Sequence, residues 1–127
     1  MPKRTKGQIE AEISKAMARF QQDYFGRGPV EVKSRIIDDS IVVRLKGVLT
    51  SAEQQLTKDQ EGIALVKGMR ARLLESARPA LKETIAEIAG SAVVSLHADI
   101  STKTGERVIV FTLENDLQKM IESRDGG

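Results

Sequence analysis

Residues 30–47, VEVKSRIIDDSIVVRLKG, decide the fold because they predict a complete β-hairpin with a defined register. With a two-residue turn at Asp38-Asp39, the residues that face each other across the strands are Ile36 and Ile41, Ser34 and Val43, and Val32 and Leu45. One face of the hairpin then becomes almost entirely apolar, as a correct register should make it. Asp-Asp is a weaker turn pair than Asn-Gly, so a register shifted by one residue stays an alternative.

A helix is predicted before this hairpin, within residues 7–25. Apolar residues recur there at spacings of three and four and form one helix face: Ile9, Ile13, Met17, Phe20 and Tyr24. The sequence GRGP at 26–29 ends this helix, because glycine accepts a left-handed cap and Pro29 prevents continuation.

A second helical region follows the hairpin. Thr50 and Glu53 form a capping box at its start, and helical patterning continues to Ala89, with Gly90 as the cap. A straight helix over the whole region would be about 58 Å long, which exceeds a domain of this size. We therefore expect a break near KDQEGIA, residues 58–64, and a kink at Pro79.

The C-terminal part predicts a second hairpin, with AVVSLHADI and RVIVFTLE as strands and STKTGE as the turn. The element order is then α-β-β-α-β-β. The predicted fold is an α+β domain, in which two hairpins form an antiparallel sheet and the helices pack on one face. We expect a single domain over residues 1–127, with residues 1–6 and 118–127 as flexible tails.

The composition narrows the classes of function. The 20 basic and 18 acidic residues leave a net charge of only +2, and aromatic residues make up 3% of the chain, so a nucleic-acid interface with base stacking is disfavoured. The chain has no cysteine, which excludes disulfides and thiolate metal sites. The chain contains neither a signal-peptide pattern nor an apolar run of the ~20 residues that a membrane span needs. We expect a cytoplasmic protein that is at most peripheral to a membrane.

Known catalytic patterns are absent from the sequence. KTG at 103–105 occurs without the S-x-x-K nucleophile of β-lactamases, and GRGP follows a helix instead of preceding one, so neither is a catalytic or phosphate-binding motif. His97 and Asp99 share one strand face and could form a base with its carboxylate or a metal site, but ordinary polar strand residues are the simpler interpretation. We predict no enzyme activity, no metal and no cofactor.

A basic sheet face is the candidate binding surface. It would carry Lys33, Arg35, Arg44 and Lys46, and a continuous sheet would extend it to His97 and Asp99. The simplest interpretation is an ordinary solvated face. The functional hypotheses are docking of a protein partner, binding of a nucleic-acid backbone, and binding of a small anion around His97, Asp99 and Arg107.

Several segments together resemble the MpsC-like bacterial family. They are TKGQIEAEISKA, GRGPVEV, VRLKGVLTSAEQQL, ESARPAL and VVSLHADISTKTGERVIVFTL, which span roughly residues 5–114. The resemblance implies association with a membrane-potential-generating or inorganic-carbon uptake system, and it implies no reaction or ligand. On this basis we expect an accessory protein whose partner is a component of a membrane transport system, with a homodimer as the default oligomer.

Overall fold

The computed structural model describes residues 4–126, so Gly127 and the first three residues of the predicted N-terminal tail lie outside it. Four helices and four strands follow in the order α1 (Lys6–Phe25), β1 (Glu31–Ile37), β2 (Ser40–Lys46), α2 (Ser51–Leu56), α3 (Gln60–Ala89), β3 (Val93–Ser101), β4 (Glu106–Leu113) and α4 (Leu117–Gly126). The predicted α+β class and the α-β-β-α-β-β order are confirmed, with the helical region divided into α2 and α3 and with α4 added at the C-terminal end.

The four strands form one antiparallel sheet in the order β1-β2-β4-β3. The register of the first hairpin is the predicted one, with Ile36 opposite Ile41 and Val32 opposite Leu45. Asp38 lies in the turn with a φ of 56°, a left-handed conformation that aspartate tolerates better than most residues. The alternative register, shifted by one residue, is therefore wrong.

The helices pack on one face of the sheet, as predicted. Helix α1 lies against β1 and α3, and α3 also lies beside the edge strand β3. The predicted stripe of α1 is buried from Ile9 to Phe20, whereas Tyr24 at its end is 43% exposed. Within residues 4–126, none of the helices combines the length and the apolarity that a membrane span requires.

The break between α2 and α3 lies at residues 57–59, within one residue of the predicted segment. Thr50 and Glu53 form the predicted capping box of α2, and Asp59 caps α3. Gly62 lies in the first turn of α3, where a Cβ atom would come within 1.6 Å of the backbone oxygen of Leu56. The close approach of α2 to α3 therefore requires glycine at this position. Helix α3 continues through Pro79 to Ala89.

Helix α4 contains most of the C-terminal segment, 118–127, that the sequence analysis assigns to a flexible tail. Its Leu117 and Ile121 side chains are buried in the core. The backbone N–H of Gln118 donates to the oxygen of Asp38, and the Gln118 side chain accepts from the N–H of Asp38, so α4 is joined to the turn of the first hairpin.

Candidate functional site

The side of the sheet that faces away from the helices, here called the open sheet face, contains six of the seven predicted binding residues. All six are exposed: Lys33, Arg35, Arg44, Lys46, His97 and Asp99. The strand order makes the face continuous, since Arg44 lies opposite Val108 and Val108 lies opposite Asp99. The basic face therefore continues across the sheet to His97 and Asp99 on β3.

The centre of the open sheet face is apolar. Val42, Val108 and Val110 lie on the two middle strands and are only partly buried. Two further apolar residues, Ile37 and Val94, are 53% and 57% exposed. Charged residues surround this centre, an arrangement typical of protein interfaces, which have an apolar core and a polar rim.

Neighbouring acids neutralise much of the positive charge on this face. Glu31 lies 3.4 Å from the Lys33 ammonium and 3.8 Å from that of Lys46. Arg44 donates to one carboxylate oxygen of Glu106 through both Nε, at 3.1 Å, and Nη2, at 2.7 Å. These are exposed pairs, which contribute little to stability and exchange readily for a partner's charges.

Arg35 differs from the other three cations of the face. Its guanidinium donates to the backbone oxygen of Ser34 at 3.0 Å, and it forms no ion pair within the described residues. Arg35 is therefore the cation of this face that is most available to an acidic group.

His97 and Asp99 share the open sheet face as exposed side chains. The Asp99 carboxylate accepts from the backbone N–H of Ile100 at 2.8 Å, and no hydrogen bond between the two side chains is present in residues 4–126. Within the same residues, no group of three or more histidine, aspartate or glutamate side chains is placed to hold a metal ion.

Arg107 is separated from the other six residues because it lies on the helix-covered side of the sheet. Strand residues alternate between the two faces, and Arg107 lies opposite the buried residues Leu45 and Ile100. Its side chain is 3% exposed. Burial, together with the charge of Arg70, lowers the pKa of Arg107 to about 10, against a partial offset by the carboxylates of Asp99 and Glu53.

A buried ion pair near Arg107 was missed by the sequence analysis. Arg70 is 1% exposed and donates through Nε and Nη2 to the two carboxylate oxygens of Glu53, at 2.6 and 2.7 Å. Its Nη2 also donates to the backbone oxygen of Val48 at 2.8 Å, and its guanidinium lies 4.4 Å from the ring centre of Phe25.

Arg70 lies in the buried stripe of α3, although arginine is ordinarily found at the surface. Its spacing from Val66 and Leu74, four residues on either side, continues that stripe. The helical period is therefore the sequence signal that indicates its burial.

The ion pair with Arg70 lowers the pKa of Glu53. Burial by itself would raise that pKa, but hydrogen bonds from Arg70 and Thr50 and the charge of Arg70 outweigh burial and hold it below 4.5. Glu53 is therefore a carboxylate at neutral pH, and it also completes the cap of α2.

Comparison with known proteins gives one family and two relatives. The family model described as "Na+-translocating membrane potential-generating system (MpsC)" matches residues 5–115. Uncharacterized protein YbcI of Bacillus subtilis (strain 168) is 48% identical over 120 residues, which cover 94% of this chain and 97% of that protein. Uncharacterized protein YrhF of the same organism is 24% identical over 113 residues, 88% of this chain and 93% of that protein. No solved structure matches. The family match, over most of the chain, and the identity to YbcI show that this chain belongs to the MpsC family.

Proposed function

We propose that this protein is a non-enzymatic accessory or regulatory component that docks a protein partner through the open sheet face. The observation that carries the proposal is the apolar centre of Val42, Val108 and Val110, which lies on the side of the sheet that no helix of residues 4–126 covers. Three partly exposed valines side by side on the two middle strands would gain from burial against a partner.

The charges of the face favour a partner with an acidic rim. Arg35 forms no ion pair within the described chain. The other three cations of the face form only solvent-exposed ion pairs: Lys33, Arg44 and Lys46. A partner carboxylate beside Arg35 would replace water without breaking an existing ion pair. The proposed occupant is therefore a protein surface with an apolar centre and acidic residues around it.

The family match supports a membrane system as the source of this partner. The description of the family names a Na+-translocating membrane potential-generating system. The resemblance identified from the sequence adds inorganic-carbon uptake to the systems that the protein could serve. We propose that a component of such a transport system carries the acidic surface.

Affinity isolation from native cells tests this proposal. The tagged wild-type protein is compared with Val110→Lys at the centre of the face, and with a variant in which Lys33, Arg35, Arg44 and Lys46 are all glutamine. Arg72→Gln, an exposed residue of α3, is the matched control. We expect the wild-type protein and the control to recover a membrane transport component. Recovery should fall about 30-fold with Val110→Lys, since a residue at the centre of an interface contributes about 2 kcal/mol.

Two outcomes would contradict the proposal. One is recovery of the same component at wild-type levels with both face variants. The other is a dimer by light scattering that Val110→Lys converts to a monomer, because a second copy of the chain would then cover the face. Circular dichroism of each variant checks that the fold is retained.

A further inference from the structure

A concave site, here called the arginine pocket, lies between α3 and strands β3 and β4. It has a volume of about 270 Å³. Its charged lining consists of four cations and two carboxylates: Lys67, Arg70, Arg78, Arg107, Glu75 and Asp99. Glu53, outside the lining, pairs with Arg70, so the four cations exceed the three nearby carboxylates by one positive charge.

Arg107 has more unused hydrogen-bonding capacity than any other group in the pocket. Its side chain is 3% exposed, and neither a hydrogen bond nor an ion pair engages it within residues 4–126. Its Nε and Nη1 are buried without a partner. The ring of Phe25, 5.5 Å from the guanidinium carbon, is a cation–π neighbour that cannot accept these N–H groups in the way an oxygen does.

Two other arginines of the lining each have one further buried donor without a partner. Arg70 holds Glu53 and Val48 through Nε and Nη2, and its buried Nη1 has no partner. Arg78 donates through Nη1 to the oxygen of Leu96 at 2.9 Å and through Nη2 to Glu75 at 2.7 Å, which leaves its buried Nε free. Existing bonds thus hold both guanidinium groups in place before any ligand arrives.

The two carboxylates of the lining already have partners. Glu75 accepts from Arg78, and Asp99 accepts from the backbone N–H of Ile100. Both residues are exposed, whereas Arg70 and Arg107 are buried. The carboxylates of the lining therefore lie toward the rim, and because Glu53 pairs with Arg70, the net positive charge of the inner part is that of Arg107.

We propose that the arginine pocket binds a small oxyanion, held by Arg107 together with Arg70 and Arg78. Guanidinium groups match the oxygens of phosphate, sulfate and carboxylate with paired, charge-assisted hydrogen bonds. An oxyanion would satisfy donors that are otherwise buried without partners and would supply the missing negative charge. Asp99, on the edge strand β3, borders both the pocket and the open sheet face, but the three arginines lie on the helix-covered side, so this inference does not rest on the proposed docking function.

Calorimetric titration of the full chain with inorganic phosphate, sulfate and acetate, at ionic strength kept constant with chloride, tests the proposal. The variants are Arg107→Met and Arg78→Gln, with the exposed Arg72→Gln as control. We expect saturable binding to wild type and control, and affinity at least tenfold weaker in both pocket variants. The anion with the highest affinity distinguishes an inorganic oxyanion from a carboxylate ligand.

Thermal unfolding without oxyanion separates ligand binding from a structural role of Arg107. If the Arg107 guanidinium serves to bind a ligand, the Arg107→Met protein should unfold at the wild-type temperature or above it when chloride is the sole added anion. The reason is that methionine removes an unpaired buried charge. The proposal is overturned if wild type binds none of the three anions, or if Arg107→Met and Arg78→Gln bind them as tightly as the control. A lower unfolding temperature for Arg107→Met, together with unchanged binding by Arg78→Gln, would also overturn it.

Discussion

Glu53→Gln is the substitution that most directly tests the buried ion pair, since it removes one charge and changes the shape of the side chain little. Glu53 is 5% exposed and Arg70 is 1% exposed. Glutamine can still accept from the backbone N–H of Thr50 and complete the capping box. The NH₂ group of the glutamine side chain, however, can only donate, and it would face the N–H donors of Arg70. The variant therefore leaves a buried guanidinium without its counter-ion.

The structure indicates a large loss of stability. Removing one partner of a buried ion pair costs about 3–5 kcal/mol, which is a substantial part of the ~5–15 kcal/mol that stabilises a typical domain. Arg107 adds to the loss of stability. Its positive charge and that of Arg70 repel each other, and in the wild type the carboxylate of Glu53 offsets this repulsion. The unfolding entropy is about 2.1 cal/mol/K per residue. For 127 residues, dividing the free-energy loss by this entropy gives a Tm that is lower by about 11–19 °C.

Urea denaturation at pH 7, followed by circular dichroism, measures this free energy. Glu75→Gln is the matched control because its carboxylate also pairs with an arginine, Arg78, but its side chain is 66% exposed. That control should lose less than about 1 kcal/mol. Adding Arg70→Met to Glu53→Gln should restore part of the lost stability, since the unpaired charge is removed. A Glu53→Gln protein whose free energy of unfolding lies within about 1 kcal/mol of wild type would contradict this prediction.

Two further predictions concern stability. Because the pKa of Glu53 is held below 4.5, its carboxylate stabilises the folded state fully above that pH, and the contribution is lost as the pH falls through the folded pKa. The free-energy difference between wild type and Glu53→Gln should therefore shrink below pH 4.5 in a series of urea titrations, and a constant difference down to pH 2 would contradict this. Gly62→Ala should cost about 3 kcal/mol or more, because its Cβ would lie 1.6 Å from the oxygen of Leu56. Gly68→Ala, with no atom within 4 Å of its Cβ, should instead stabilise the same helix by about 0.5–1 kcal/mol. Equal Tm values for these two alanine variants would show that α2 does not approach α3 as described.

The first hairpin could be predicted in detail because its determinants are local. Alternation of apolar residues selects the register, and only the two-residue turn at Asp38-Asp39 places the apolar residues on one face. The same holds for the helix ends, where Thr50 and Glu53 form a capping box within four residues of chain. The placement of six candidate residues on the open sheet face follows from the same alternation.

The arginine pocket could not be predicted in this way. Its residues come from the middle of α3 and from the hairpin of β3 and β4, and no local pattern of the chain sets the distance between these two parts. A pattern rule assigns arginine to the surface, because burying an unpaired charge is costly. Only the approach of α2 to α3 brings Glu53 to Arg70, and only the covering of β4 by helices buries Arg107.

The α+β class, the strand register, the helix caps and the resemblance to a family could be predicted from the sequence, since each depends on residues that are neighbours in the chain or recur with a fixed period. The helical period also places Arg70 in the buried stripe of α3. Only the packing of the elements fixes which buried charges have partners, because pairing depends on the distances between elements, and the repeating pattern of a single helix or strand carries no information about those distances.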